Sequence, residues 1–286
     1  MFLCFFASDL HGKTDRYHKL YEQIKTEKPA AVFLGGDLLP SGLHAFVSKS
    51  KEPEIFMDFF MDNLRRLKSE MGNDYPKIFT ILGNDDGKSE EAEFIQADSD
   101  GLLIYVHNRK IQFHGFTIYG YAYVPPTPFM LKDWERYDVS QFVDPGCVAP
   151  EDGSYSVPTN VKLNKYKTIQ KDLEKLTDKE DLSRSVFLFH SPPYDTALDR
   201  AALDGEMVDH VPLDVHVGSI AIKRFIKERQ PYLTLHGHVH ESTSLTGKWK
   251  IQTGRTVSMN AAHDGPELSL IRFPLDKPGE AERLLI

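Results

Sequence analysis

Five short segments of the sequence concentrate aspartate, asparagine and histidine, the residue types that bind metal ions through oxygen and nitrogen. They read Ser-Asp-Leu-His-Gly at 8–12, Gly-Asp at 36–37, Gly-Asn-Asp-Asp at 83–86, His at 190 and His-Gly-His-Val-His at 236–240. One Asp-x-His pair or one histidine after an apolar run is usually a turn residue or a core residue. Five such segments in one chain favour a shared metal site.

The mixture of donors indicates which ions and which chemistry the site suits. Carboxylate and amide oxygens bind hard cations and imidazoles bind borderline ones, so the mixture fits Mn, Fe, Zn, Ni or Co better than Ca. Asp9 and Asp37, held side by side, would repel each other without a cation between them. Two divalent ions about 3.5 to 4 Å apart can activate a water molecule and clamp a phosphate ester. The segments therefore predict a two-metal hydrolase, with Mn as the expected ion.

Each segment directly follows, or closes, a short apolar run. The runs are FLCFFA, AAVFLG, KIFTIL, SVFLFH and YLTLHG, and they alternate with helical patterns. This alternation is typical of buried parallel strands connected by helices. Since ligands bind at the carboxyl ends of such strands, the five segments are expected to meet at one edge. Four further runs predict additional strands before a polar tail: FTIYGYA, KWKIQT, GRTVSMN and ELSLIRF.

Two amphipathic helices are expected between the first three strands. Their apolar residues recur at helical spacing, which predicts core faces. The predicted core residues are Tyr17, Leu20, Tyr21 and Ile24 in the first helix and Ile55, Phe56, Phe59, Phe60, Leu64 and Leu67 in the second.

The stretch at about 124–158 differs from the rest of the chain. It is rich in Pro and Gly and carries scattered aromatics, with Phe129, Trp134, Phe142 and Tyr155 among them. Irregular stretches of this length often form lids or binding walls. We expect an excursion that either walls the active site or forms a surface insertion.

Composition narrows the class of protein. The chain has 286 residues and a net charge of −8, which fits one domain spanning residues 1–286. The apolar opening lacks a charged n-region and the two cysteines cannot form a disulfide framework, so a cytoplasmic location is expected. No apolar run approaches the ~18 residues of a membrane span. The acidic balance without a basic stripe speaks against nucleic acid as the main partner. Oligomeric state stays open.

Taken in order, the five segments resemble the motif blocks of the calcineurin-like metallophosphoesterase family. The stretch from His190 to His240 is similar to uncharacterised cytosolic members predicted to be phosphoesterases. The resemblance implies an α/β fold, an αββα sandwich of two mixed sheets flanked by helices. The strand pattern alone also fits a single doubly wound sheet.

The resemblance also implies a ligand set and a small phosphorylated substrate. It implies one metal at Asp9, His11 and His240, a second at Asn84, His190 and His238, and Asp37 as a bridge between them. A hydroxide bridging the two metals would then be the nucleophile of phosphate-ester hydrolysis.

The chain departs from the family pattern at Asp85, where the family usually carries a histidine that protonates the leaving group. A carboxylate beside two cations stays ionised, so Asp85 is a poor proton donor near neutral pH. In one interpretation the substrate is a phosphodiester or an anhydride whose leaving group needs little protonation. In a second, His236 or His263 donates the proton. In a third, the protein is a noncatalytic metal-supported binding or scaffold protein. A nuclease is the alternative within the enzyme class.

Overall fold

The computed structural model describes residues 2–48 and 51–286. Within these ranges the strands are β1 (Leu3–Ala7), β2 (Ala31–Gly35), β3 (Lys77–Ile81), β4 (Ile104–Tyr105), β5 (Lys110–Phe113), β6 (Phe116–Tyr121), β7 (Ser185–Phe189), β8 (Met207–Val208), β9 (Val211–Pro212), β10 (Leu233–His236), β11 (Lys250–Thr253), β12 (Thr256–Asn260), β13 (Ser269–Pro274) and β14 (Glu282–Leu285).

Helices connect several of these strands. They are α1 (Thr14–Glu27), α2 (Gly42–Ser48), α3 (Glu52–Met71), α4 (Glu91–Ser99), α5 (Val161–Asn164), α6 (Ile169–Thr177), α7 (Ile220–Arg229) and α8 (Ser242–Thr246). Three short 3-10 turns lie at Gly72–Asp74, Lys88–Glu90 and Pro278–Glu280. No helix in the described ranges combines the length and the apolarity needed to cross a membrane.

The strands form two six-stranded sheets and a small hairpin. The first sheet has the order β14-β13-β1-β2-β3-β4, the second has the order β11-β12-β10-β7-β6-β5, and β8 pairs with β9. In the first sheet β1 to β4 run parallel, while β13 and β14 are antiparallel to their neighbours. In the second, β6, β7, β10 and β12 run parallel, flanked by antiparallel β5 and β11. Both sheets are therefore mixed.

The sheets pack face to face through β2 and β3 of the first and β6 and β7 of the second. Every residue of β2 and of β7 is buried, as expected for strands covered on both faces. Helix α1 packs on α3, and α6 packs on α7. These layers confirm the αββα sandwich and exclude the single doubly wound sheet.

All nine apolar runs lie on strands, and the predicted core face of α1 is buried. Two differences stand out. Ile55 is 69% exposed, because it lies one residue, about 100°, away from the row of Phe56 and Phe60 on α3. The expected polar tail contains β14, whose residues pair with β13 although Glu282 and Arg283 make the segment look polar.

The excursion at 124–158 contains neither helix nor strand, as predicted. Its aromatics divide into two sets: Trp134 is fully buried, whereas Phe129 and Phe142 are exposed. A buried ion pair holds its interior, with Lys132 Nζ donating to Glu135 Oε2 at 2.5 Å. The stretch is therefore an ordered element with its own packing.

Candidate metal centre

The carboxyl ends of four strands, β1, β2, β7 and β10, bring two groups of potential metal ligands together. The first group is Asp9, His11, Asp37 and His240, and the second is Asp37, His190 and His238. Within each group one ligand atom per residue lies within 4.8 Å of the others. Since Asp37 belongs to both groups, the two positions for ions are adjacent. The structure thus assembles all six of the predicted Asp and His ligands.

The backbone at these residues is unusual. Asp9, His11, Asp37 and His238 have φ values of 57°, 48°, 51° and 75°. The left-handed region is uncommon for residues other than glycine, and such conformations cluster at functional sites, where the surroundings hold them. Here the loops interlock, because Asp9 N–H donates to Gly36 O at 3.0 Å and His11 N–H donates to Asp37 O at 2.9 Å.

Glycine at two motif positions permits this close approach. A Cβ at Gly83 would overlap the carboxylate of Asp37, and a Cβ at Gly237 would overlap that of Asp9. The Gly-Asn and Gly-His pairs of the sequence therefore carry a glycine so that their loops can press against the carboxylates that follow β1 and β2.

The first group, which we call the open half, comprises Asp9, His11 and His240 beside Asp37. His240 Nε2 lies 3.1 Å from Asp9 Oδ1 and 3.1 Å from His11 Nε2. The side chains of His11 and His240 are 19% and 35% exposed. Two imidazole nitrogens and two carboxylates thus face one point that solvent can reach.

The second group, which we call the buried half, comprises Asn84, His190 and His238 beside Asp37. His190 Nε2 lies 3.1 Å from Asn84 Oδ1 and 3.3 Å from Asp37 Oδ2. The other ring nitrogen, Nδ1, donates to Gly35 O at 2.8 Å. The imidazole of His190 is fully buried, and the ring of His238 lies 5.2 Å from it. Asn84 therefore joins this half through its amide oxygen.

Among the protein groups alone, imidazoles compensate the two buried carboxylates. Burial opposes ionisation of Asp37, but His190 outweighs it and holds the pKa of Asp37 below its ordinary value. Burial also opposes ionisation of Asp9, and the hydrogen bond from His240 holds that pKa low. Burial disfavours charged imidazoles, yet the carboxylates nearby raise the pKa of His11 and of His190 to about 9. The site thus attracts positive charge, and its donors fit divalent cations.

Of the three residues considered as proton donors, Asp85 alone contacts a predicted ligand among the contacts described. Its Oδ2 lies 3.4 Å from His11 Nδ1. His236 is buried within β10, where its ring nitrogens lie 2.8 Å from Ser191 O and 2.8 Å from Thr234 Oγ1. With both nitrogens engaged, this geometry gives no support to His236 as a donor to substrate.

His263 lies on the loop after β12 and pairs with a carboxylate of the same loop, since Nε2 is 3.0 Å from Glu267 Oε2. Arg16 ties this loop to the first motif: its Nη1 donates to Asp9 O at 2.7 Å and its Nη2 donates to Gly265 O. His263 therefore belongs to a neighbouring loop, outside both groups of potential ligands.

Sequence reasoning missed residues that hold the ligand loops in place. The buried carboxylate of Asp86 accepts the N–H groups of Leu38 at 3.0 Å, Leu39 at 2.8 Å and Gly83 at 2.8 Å. It thereby joins the Asp37 loop to the Asn84 loop. Burial, and then the nearby Asp37, raise the pKa of Asp86 to about 7. The sequence signal that could have identified Asp86 was its place as the fourth residue of the Gly-Asn-Asp-Asp segment.

The excursion docks beside the Asn84 loop. Lys88 N–H donates to Asp133 Oδ2 at 2.8 Å, and Ser89 N–H donates to Ser156 Oγ at 2.9 Å. The ammonium of Lys88 also lies 4.7 Å from the centre of the Trp134 ring. The irregular stretch is therefore attached to the chain a few residues beyond Asn84.

Comparison with known proteins agrees with this architecture. The family model described as calcineurin-like phosphoesterase matches residues 4–242, whereas curated proteins give no match. The solved structure of TT1561 of Thermus thermophilus is 16% identical, with 99% of this chain and 98% of that one covered and a TM-score of 0.56. A dimetal phosphatase from Danio rerio is 12% identical, with 94% and 92% covered and a TM-score of 0.52. At these identities the two structures show the fold alone.

Proposed function

Because the chain belongs to the calcineurin-like phosphoesterase family, we propose that it is a phosphodiesterase that uses two divalent cations, with Mn as the expected ion. The observation that carries the proposal is the pair of potential ligand groups that share Asp37. A scaffold has no physical need for two adjacent buried carboxylates surrounded by imidazoles, because burying them is costly without a compensating charge.

The proposed ligands follow the two halves of the site. One ion would be held by the open half and the other by the buried half, with the Asp37 carboxylate between them. Support for including Asn84 is the 3.1 Å distance from its Oδ1 to His190 Nε2. The amide oxygen adds a neutral donor where a further carboxylate would add repulsion beside Asp37.

When bound, a pair of divalent cations lowers the pKa of a water molecule and offsets the negative charge of the phosphate ester. The protein groups have separate tasks. Asp37 sets the spacing of the two positions, and the buried half orients its donors rigidly. The exposed edges of His11 and His240 leave the approach for substrate on the open half.

Phosphodiesters are the proposed class because of the residue at position 85. An aspartate stands there in place of the histidine that would protonate a departing alkoxide, so leaving groups of low pKa are favoured. We further propose that the excursion walls the substrate approach, in view of the contacts of Asp133 and Ser156 with residues 88–89. A small phosphorylated substrate and a cytoplasmic location stay predictions, as does a single domain over 1–286.

The test is turnover of bis-p-nitrophenyl phosphate and p-nitrophenyl phosphate by metal-stripped protein, with and without added Mn²⁺. We expect Mn-dependent hydrolysis and a preference for the diester. A preference for the monoester would overturn the diester assignment, and absence of metal-dependent hydrolysis of both would overturn the function. Nicking of plasmid DNA, measured in parallel, would instead favour the nuclease.

A second measurement examines the missing proton donor. Aryl methyl phosphodiesters with phenols of increasing pKa should react progressively more slowly with the wild-type protein at saturating Mn²⁺. Asp85→His places an imidazole at the family's usual position and should reduce this dependence on the leaving group. An equally shallow dependence in the wild type would show that another group, with His263 the remaining histidine considered, donates the proton.

A further inference from the structure

We propose that Asp85 is a positioning residue: its carboxylate orients the ring of His11 so that Nε2 faces the open half of the metal centre. This inference rests on the proposed function, and it assigns a structural task to the position where the family usually carries its histidine.

Both oxygens of the Asp85 carboxylate are engaged. Oδ1 accepts a hydrogen bond from Ser41 Oγ at 2.8 Å, and Oδ2 lies 3.4 Å from His11 Nδ1. The Ser41 hydroxyl is itself held at the start of α2, since it accepts the N–H of His44 at 3.3 Å. The carboxylate therefore sits between a fixed hydroxyl and the imidazole.

The main chain of Asp85 is held as firmly as its side chain. Its N–H donates to Asp37 Oδ1 at 2.8 Å, and its carbonyl accepts the N–H of Gly42 at 2.7 Å. A Cβ at Gly42 would lie 2.8 Å from the Asp85 carbonyl oxygen, so the residue following Ser41 must be small. These contacts fix the main chain of Asp85 beside Asp37, and from there its side chain reaches both Ser41 and His11.

The two ring nitrogens of His11 face different groups. Its Nε2 lies 3.1 Å from His240 Nε2 and 4.0 Å from Asp37 Oδ2, while Nδ1 faces Asp85. A neutral imidazole has one donor nitrogen and one acceptor nitrogen, and an ionised carboxylate only accepts. When His11 is neutral, as a metal ligand must be, a proton on Nδ1 directed at Asp85 leaves the Nε2 lone pair for a cation.

This arrangement also explains why Asp85 does not replace the family's proton donor. One of its oxygens accepts a hydrogen bond from Ser41 and the other faces His11 Nδ1, so both already have partners within the protein. Asp85 thus orients His11 in the open half and does not act as an acid toward the substrate.

The test measures metal binding in addition to turnover. Isothermal titration calorimetry of metal-stripped wild-type protein with Zn²⁺ should show two bound ions per chain. Asp85→Ala should weaken one of the two by about 10- to 100-fold and leave the other unchanged. Asp85→Asn, which keeps an acceptor oxygen without the charge, should lie between. Glu90→Ala removes a nearby carboxylate that pairs with Ser89 and should leave both affinities unchanged.

A second readout follows the ring itself. Long-range ¹H–¹⁵N spectra of the zinc-loaded protein should show a His11 Nδ1–H proton that is protected from solvent exchange in the wild type and is broadened by exchange in Asp85→Ala. Two unchanged affinities in Asp85→Ala would overturn the inference while the proposed function stands. A wild-type protein that binds no ion would overturn the proposed function and this inference with it.

Discussion

One histidine in each half of the candidate metal centre is oriented by a different kind of partner. In the buried half, His190 Nδ1 donates to the main-chain carbonyl of Gly35 at 2.8 Å, and the ring is wholly enclosed. In the open half, His11 Nδ1 faces the side-chain carboxylate of Asp85 at 3.4 Å, and the ring is 19% exposed. The orientation of His190 thus depends on a main-chain carbonyl that any residue supplies, and that of His11 depends on a side chain.

This difference separates contacts that belong to the fold itself from contacts that a substitution can change. A main-chain acceptor at the end of β2 persists under substitution, so the buried half is built into the sandwich itself. A carboxylate on a loop can be exchanged for another residue at little cost to the core. The departure from the family pattern at Asp85 falls in the open half, where the fold permits it.

The largest effect should come from the residue that both halves share. Asp37→Asn removes the negative charge between the two positions, which costs several kcal/mol of transition-state stabilisation, or about a thousandfold in kcat/KM. The assay is Mn-dependent diester hydrolysis. Asp15→Asn, on the exposed face of α1 where Asp15 pairs with Lys19, is the matched control and should retain full activity. Activity within tenfold of wild type in Asp37→Asn would show that the halves do not share this ligand.

The next prediction compares how much a histidine of each half contributes to the free energy of unfolding. In metal-stripped protein, His190→Ala should lower the free energy of unfolding by about 3 kcal/mol, because it opens a buried cavity and leaves Asp37 without its partner. His11→Ala, at a partly exposed site, should cost about 1 kcal/mol. Urea denaturation followed by circular dichroism measures both. Equal losses of stability in the two variants would contradict the distinction between the buried half and the open half.

The smallest effect concerns pH. Burial lowers and the neighbouring carboxylates raise the pKa of His11 and His190, to about 9 each, above the ordinary ~6.5 of the unfolded chain. Their contribution to stability is thus fully present below about pH 6.5 and is lost as pH rises toward 9. The melting temperature of metal-stripped protein should fall by on the order of 5 °C over this range.

The metal-loaded protein provides the comparison for the pH series. Its histidines are already neutral ligands, so its melting temperature should change less between pH 6.5 and pH 9. A parallel fall in loaded and stripped protein would indicate that groups outside the metal centre govern the alkaline range.

Much of the fold could be predicted because its signals are local. Apolar runs with β-branched and aromatic residues mark β1, β2, β3 and β7, and each lies where the pattern places it. The signal failed where burial depends on a distant partner. Strand β14 looks polar and forms because β13 offers it an edge, and Ile55 looks apolar yet faces solvent on α3.

The same limit applies to the site. The six proposed Asp and His ligands share one property that a sequence displays, a position within a few residues of the end of an apolar run. Asp86 and Arg16 hold the ligand loops through main-chain groups of Leu38, Leu39 and Asp9. Such partners are chosen by folding, so composition and spacing do not reveal them.

The sequence by itself determined the donors, their order along the chain and the strand ends that carry them, because residue type and periodicity are properties of short segments. Tertiary structure decided what each donor faces. It placed the carboxyl edges of two separate sheets together, enclosed His190 against a carbonyl and set His11 against Asp85. Both contacts join residues far apart in the chain. The packing of the two sheets brings His190 to Gly35, and the alignment of β1 and β3 within the first sheet brings His11 to Asp85.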